Sequence, residues 1–414
     1  MSAQDVAVPA RPAYRDANVL RWLTAYTASV AGDVVFFLAL SWAATRAGGP
    51  SQVGLVVAAG AVPRAVLMLG GGGVVADRFG PRRVAVLSDG VRCVVILLAA
   101  AALALAPAHL WLLALVALIF GVVDAVFMPA VGALPPRITT ADQLARVQGM
   151  RGLSIRLSNA VGPLVAGAVL VAGGAEGAFA VAGVLFAVSL ATLLTVRVTP
   201  VAGPSQRDSA RGELRDGLRY VRRHRLLAPL VVVIGLSEMC FSGPVATGLV
   251  LLADERGWGA VGMGWVASAF SVGATASALL LTVAPRVPRA GAAMAAALLV
   301  TAAGAVGLGQ APSLTVAVAF GALIGLTSGF ATTLTGALVQ TATDPRYLGR
   351  VTSVTTLCTL GLAPVLFPAV GITVELWGAA TFFAGCGAIC LLAAALGLAV
   401  PALRRAELPE LGSA

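Results

Sequence analysis

Twelve apolar runs, each about as long as a bilayer crossing, fill nearly the whole chain, with short polar segments between them. They lie near residues 19–45, 52–76, 83–106, 109–134, 149–172, 175–197, 227–252, 260–284, 289–309, 312–338, 349–372 and 377–403. Inside each run the apolar residues are continuous rather than alternating, and the runs exceed the roughly ten residues of a barrel strand. The pattern therefore predicts helices, each near the roughly 20 residues that cross a hydrocarbon core of about 30 Å. The expected fold class is an all-α polytopic membrane protein with twelve transmembrane helices in two six-helix halves. The longest polar stretch falls between the sixth and seventh runs. The expected organisation is a tail over 1–18, a first bundle over 19–197, a central loop over 198–226, a second bundle over 227–403 and a tail over 404–414. In the central loop Leu214, Leu218 and Val221 recur at helical spacing among arginines, which predicts a short amphipathic helix on the membrane surface.

Composition strengthens this picture. The chain is 59% hydrophobic and only 11% charged, with a mean hydropathy of +0.94, too little charge to cover a water-soluble surface. Its 48 glycines suit close helix packing in lipid. All 28 basic residues are arginine, and they cluster on alternate loops. The positive-inside rule then puts both termini in the cytoplasm, as an even number of crossings requires. The net charge of +10 thus reflects topology and contact with anionic lipid rather than nucleic acid. The first 18 residues are polar, and no cleavable signal peptide is expected there. The five cysteines all fall inside spans, where packing is their expected role. No metal site, cofactor, phosphate-binding loop or hydrolase motif is expected, and the chain does not read as an enzyme.

The halves are related. Gly132-Ala133-Leu134 recurs as Gly336-Ala337-Leu338, and the same offset pairs Gly121 with Gly325, Thr139 with Thr343, Leu144 with Leu348, Arg146 with Arg350 and Val147 with Val351. Parallel six-helix halves related about the membrane normal are one transporter architecture.

Between the second and third spans stands Gly73-x-x-x-Asp77-Arg78-x-Gly80-x-Arg82-Arg83. This resembles the loop signature of the major facilitator superfamily, and the resemblance extends over essentially the whole chain. Its glycines permit a tight turn. The resemblance implies that Asp77 latches the two halves when the cytoplasmic side is closed. The matching loop of the second half, Pro285 to Arg289, keeps basic charge but lacks the aspartate. In span five, Ser158 to Gly167 resembles the Gly-x-x-x-Gly-Pro-x-x-Gly-Gly pattern of proton-exchanging drug exporters. Gly162, Pro163 and Gly167 match, while Ser158 and Ala166 replace glycines. Small residues at this spacing let span five approach its partner from the other half. Gly32-Asp33, Pro63-Arg64, Asp89-x-x-Arg92 and Asp124-Ala125-x-x-x-Pro129-Ala130 resemble the bacterial branch that exports macrolides, siderophores and drugs. Asp124 stands where many proton-coupled drug exporters carry an arginine motif.

Charges deep in lipid cost about 2.5–3.5 kcal/mol each on insertion scales and are functional candidates by default. Asp33, Arg64, Arg92 and Asp124 lie within spans one to four, and Glu238 lies in span seven near the repeat counterpart of Asp33. These five are the candidates for proton coupling or for lining a substrate cavity. Their alternative role is a fixed ion pair, such as Asp33 with Arg64 or Asp89 with Arg92. Arg156, in span five, reads as reaching the cytoplasmic surface. Phe36, Phe37, Trp42, Phe127, Phe241, Trp265 and Phe270 are the aromatics available to an apolar pocket.

The resemblance implies a monomeric secondary exporter in the bacterial cytoplasmic membrane. Protons, membrane lipids and an amphipathic small-molecule substrate are its expected partners. Two alternatives share the same spans: an importer or uniporter of a small nutrient, and a membrane sensor that moves nothing.

Overall fold

The computed structural model describes residues 12–70, 75, 78–198, 210–241, 243–283 and 287–408. Among these residues the regular structure is helical throughout. Ten helical runs are long and apolar enough to cross a membrane. Two of them, Leu144–Leu194 and Leu348–Ala399, contain 51 and 52 residues. A straight helix of that length would extend about 75 Å, more than twice the hydrocarbon thickness. Each run breaks at a glycine in the left-handed region: Gly174 (φ 61°) in the first, Gly378 (φ 81°) in the second. The first break turns the chain back on itself, because a Cβ on Gly177 would lie 3.6 Å from Val169 Cγ1. Eight residues along an unbroken helix would be about 12 Å apart. Ten runs, two of them broken in this way, are consistent with the twelve crossings that the hydropathy pattern predicts.

The described spans are one (Ala17–Ala47), two (Pro50–Gly70), three (Pro81–Leu105) and four (Leu110–Gly132), followed by five and six on either side of Gly174. The second half holds seven (Leu227–Phe241 and Pro244–Glu255), eight (Gly259–Val283), nine (Ala290–Gly309) and ten (Leu314–Ala342). Eleven combines Leu348–Leu360 with the segment from Ala363, and twelve runs from Gly378 to Ala399. Span seven is interrupted where the sequence suggests one helix. Gly243 takes φ 137° and Pro244 begins the next segment without an N–H to donate. The central helix, Ala210–Arg223, forms as expected, but it docks on the second half. Val221 is buried there and Tyr220 stacks on Tyr347 at 4.3 Å, while Leu218 stays exposed.

The halves meet through two reciprocal contacts, span two with span eleven and span five with span eight. Glycines make both approaches possible. A Cβ on Gly54 would sit 2.5 Å from Phe367 O, one on Gly167 would sit 2.6 Å from Ala260 O, and one on Gly264 would sit 2.5 Å from Pro163 O. Backbone therefore touches backbone, the packing that small residues provide in lipid. Gly162 faces inward instead, against Val34 of span one.

The packing is uneven from end to end. Away from the termini one continuous core joins both halves, from Phe36, Ile96 and Phe179 to Leu251, Met263 and Phe383. At the terminal end there are two cores. One belongs to the first half, around Trp22, Phe127 and Leu193; the other belongs to the second, around Leu230, Met294 and Leu338. The bundles are thus fused at one end and separate at the other. At the fused end Arg46 Nη2 bonds Asp254 Oδ1 at 2.5 Å across the halves and stacks on Trp42, while Ser51 bonds Glu375.

The Arg46–Asp254 pair is solvent-exposed and so is worth about 1 kcal/mol or less. Arg46→Ala is expected to shift the conformer ratio by up to about fivefold toward opening of the fused end. Spin labels at Ala106 and Pro312 would report a longer-distance population. An unchanged distance distribution would show that this pair does not hold the end closed.

Candidate functional site

Span three carries the centre of the site. Asp89 and Arg92 lie one helical turn apart and point into the first bundle, both almost wholly buried. A buried guanidinium needs its charge matched and most of its donors paired; here both terminal nitrogens are paired, while Arg92 Nε has no hydrogen-bond partner. Arg92 Nη2 donates to Asp89 Oδ1 at 2.5 Å and to Ser29 Oγ at 3.0 Å. Its Nη1 donates to Asp33 Oδ1 at 2.9 Å and lies 3.8 Å from Asp124 Oδ1. Ser189 Oγ donates to the second oxygen of Asp89 at 2.5 Å. The guanidinium lies over three aromatic rings, its carbon 3.7 Å from the centre of Phe127, 4.9 Å from Phe186 and 5.6 Å from Phe120. This fork-and-stack geometry suits arginine and not lysine.

The cluster extends toward open space. Arg64 Nε lies 3.0 Å from Asp124 Oδ2, near enough for an ion pair although its N–H is not aligned on that oxygen. Exposure rises outward: the Asp89 and Arg92 side chains are 0% exposed, Asp124 6%, Asp33 27% and Arg64 42%. Three carboxylates face two guanidiniums, so the fully ionised cluster carries one excess negative charge.

Asp33, Arg64 and Asp124 open onto a cavity of about 630 Å³ between the halves. Val30, Val57 and Ile155 line it from the first half, and Phe241, Phe270 and Phe367 from the second. The fused core closes it away from the termini. A second cavity of about 270 Å³ lies within the second half, and Glu238 lines it.

The structure brings four of the five sequence candidates, Asp33, Arg64, Arg92 and Asp124, into one cluster. Glu238 is not among them: it sits on the second bundle and faces the smaller cavity. The expected pair of Asp89 with Arg92 is present. Asp33 pairs with Arg92 rather than with Arg64, because Arg92 reaches across from span three and leaves Arg64 to Asp124. Asp89, Ser29, Ser189 and the three phenylalanines complete the cluster; the sequence pointed to Asp89 as a fixed partner of Arg92 and to Phe127 as a pocket aromatic, and gave no sign of Ser29, Ser189, Phe120 or Phe186. The one available signal was the i, i+3 spacing of Asp89 and Arg92 in mid-span. Phe36 and Phe37 line the large cavity with Phe241 and Phe270, whereas Phe127 stacks on Arg92, Trp42 on Arg46, and Trp265 is exposed.

Gly73 and Asp77 of the loop signature lie outside the described residues. Gly80 takes φ 86° and leads into span three, with Pro81 as its first residue. Arg78 stacks on Phe79 at 5.7 Å, and Arg83 is exposed. Arg82 Nη2 donates to Leu194 O at 2.6 Å, tying span three to the end of span six. Arg156 does not simply reach the surface, since its Nη1 donates to Ala274 O of span eight at 3.2 Å.

Two helical bundles around a cavity with ionisable side chains in its wall define a membrane transporter. Residues 22–360 match the family model of the Major Facilitator Superfamily, and the chain belongs to that family. The enterobactin exporter EntS of Shigella boydii serotype 18 is 26% identical over 309 residues, covering 74% of this chain and 70% of that protein. Two solved structures share the fold. The nucleoside transporter NupG has a TM-score of 0.71 at 14% identity, covering 93% of this chain and 99% of that one. A bacterial homologue of the human lysosomal transporter Spinster, inward-facing and occupied, has a TM-score of 0.70 at 15% identity, covering 92% and 96%.

Arg92→Ala leaves buried carboxylates without their counter-charge and is expected to destabilise the protein by about 3–5 kcal/mol. Arg64→Ala, at the half-exposed end of the cluster, is expected to cost less than about 1 kcal/mol. Thermal unfolding of the two purified variants in detergent checks the order. Equal melting would mean that Arg92 is not the centre of the cluster.

Proposed function

We propose that the protein is a secondary active exporter that exchanges protons for amphipathic small molecules such as drugs, macrolides or siderophores. The observation that carries this reading is the large inter-bundle cavity, apolar over most of its wall and interrupted by Asp33, Arg64 and Asp124. A concave apolar site with a few polar groups is the usual form of a small-molecule site. Its aromatic residues take an apolar body, and its charged wall orients a polar end.

The charge imbalance supports proton coupling. One proton neutralises three carboxylates set against two guanidiniums. Arg64, the most exposed member, is the one a ligand reaches first. Movement of Arg64 toward a ligand takes positive charge away from Asp124, and the excess charge then rests on a carboxylate beside the cavity. A proton is the smallest counter-charge that can follow. Each charge carried across 100 mV is worth about 2.3 kcal/mol, enough to bias the exchange of states.

Similarity to the enterobactin exporter favours the outward direction, as does the glycine and proline pattern of span five. With both termini in the bacterial cytoplasm under the positive-inside rule, the separated end faces inward. The structure then corresponds to the inward-facing state, with the Arg46–Asp254 pair closing the outside. Rocking of the halves about the two glycine contacts reverses access. One chain encloses the whole cavity, so a monomer suffices. Asp77, for which the family resemblance implies a latch, would act only in the opposite state.

Everted membrane vesicles test this proposal. With an acidified lumen, wild-type protein is expected to drive a fluorescent amphipathic dye inward, and Asp33→Asn is expected to express normally but lose the dependence on the pH gradient. Wild-type rates in Asp33→Asn would remove that residue from coupling. Movement only in the opposite sense would make the protein an importer. No dye movement together with no thermal stabilisation by any ligand would favour a sensor.

A further inference from the structure

The smaller cavity, of about 270 Å³, differs from the large one in the polar side chains that interrupt its wall. The large cavity is apolar with mixed charges. The smaller combines an apolar wall, with Ile234, Leu298 and Val339, with hydroxyl and amide side chains, among them Ser237, Thr332, Thr335, Gln340 and Thr352, and Glu238 is the charged residue among its described lining.

The hydroxyls are further specialised. Thr335 Oγ1 donates to Ala331 O at 2.6 Å, and Thr352 Oγ1 donates to Leu348 O at 2.8 Å. Ser328 Oγ donates to Gly325 O at 3.5 Å. Each has directed its hydrogen at the preceding helical turn, so what it offers a ligand is lone pairs. Together with the Glu238 carboxylate, these oxygens form a wall of acceptors under negative charge. Such a wall favours a ligand group rich in N–H and O–H donors and positively charged.

The two cavities adjoin. Phe241 lines both, and it stacks against Phe270 of the large cavity with ring centres 6.4 Å apart. A ligand lying across Phe241 can keep its apolar body among the aromatics and send one appendage into the smaller space.

We infer that the smaller cavity is a subsite for a cationic, hydroxylated appendage of the transported molecule, an amino-sugar-like group, with Glu238 as its counter-ion. This rests on the transport reading above and narrows its substrate class. In this assignment Glu238 acts in ligand recognition, and proton coupling stays with the cluster of the first half.

The test uses three fluorescent naphthyl glycosides of similar shape: the glucosaminide (cationic when its amine is protonated), the glucoside (neutral) and the glucuronide (anionic). Binding to the purified full-length protein in maltoside micelles is followed by anisotropy. Wild-type protein is expected to prefer the glucosaminide over the glucuronide by about tenfold or more, the scale of a hydrogen bond to a charged group. Glu238→Gln is expected to bring the three within about twofold of one another while leaving the glucoside unchanged. A second variant guards against misfolding of the first. Gly336 lines the cavity, and a Cβ built on it meets nothing within 4 Å, so a side chain at this position starts into open space and Gly336→Leu is chosen to occupy the cavity. It too is expected to erase the preference. Equal binding of all three glycosides by wild type, binding of none, or a preference that survives both substitutions would overturn the subsite. Proton-driven movement of the glucoside without any charge preference would sink the subsite alone. Charge preference without proton-driven movement would sink the exporter reading alone.

Discussion

The buried guanidinium of Arg92 is the constraint on which the first bundle depends. A single arginine in the hydrocarbon region is costly, and the fold answers by bringing three carboxylates, one hydroxyl and three aromatic rings to it from spans one, three, four and six. Those spans are thereby fixed in rotation and depth relative to one another. A one-residue rotation of any of them would leave an ion unmatched in a medium without water. The same demand explains the gradient of exposure. Asp89 and Arg92 are sealed and structural in character, whereas Asp33, Asp124 and Arg64 carry the charge progressively to the cavity wall.

The second constraint is backbone contact between halves. Apolar side chains gain little by leaving lipid for each other, so the interface relies on close fit. Gly54, Gly167 and Gly264 bring main chain against main chain on two opposite sides of the cavity. These are narrow contacts about which rigid bodies can turn. A shared core at one end and separate cores at the other fit bundles that tilt as units.

Much of this was legible in the chain because lipid leaves so few options. Every backbone donor must be satisfied internally, so a long apolar run has to be a helix, and the number of crossings follows from counting. Mid-span charges announce themselves for the same reason, and Asp33, Arg64, Arg92 and Asp124 were flagged on that ground. Their pairing was not legible. Whether Asp33 meets Arg64 or Arg92 depends on how each helix is rotated about its axis, which one sequence does not encode locally. Glu238 resembled Asp33 by repeat position, yet it lines the smaller cavity of the second bundle, whereas Asp33 pairs with Arg92 in the first. The breaks in span seven and near Gly361 were also missed. Hydropathy is blind to Gly243-Pro244 and to Gly361 with Pro364, because each lies within a run that stays apolar on average.

The two bundles are alike in outline but not in content. Buried charged groups gather on one side of the central space, and hydroxyls with Glu238 on the other. In the proposed scheme the energy source and the cargo are handled by separate walls of the same vestibule. Substitutions around Glu238 can then retune what is carried while the ionic machinery around Arg92 stays intact. A gene of this type can acquire a new cargo through its C-terminal half alone.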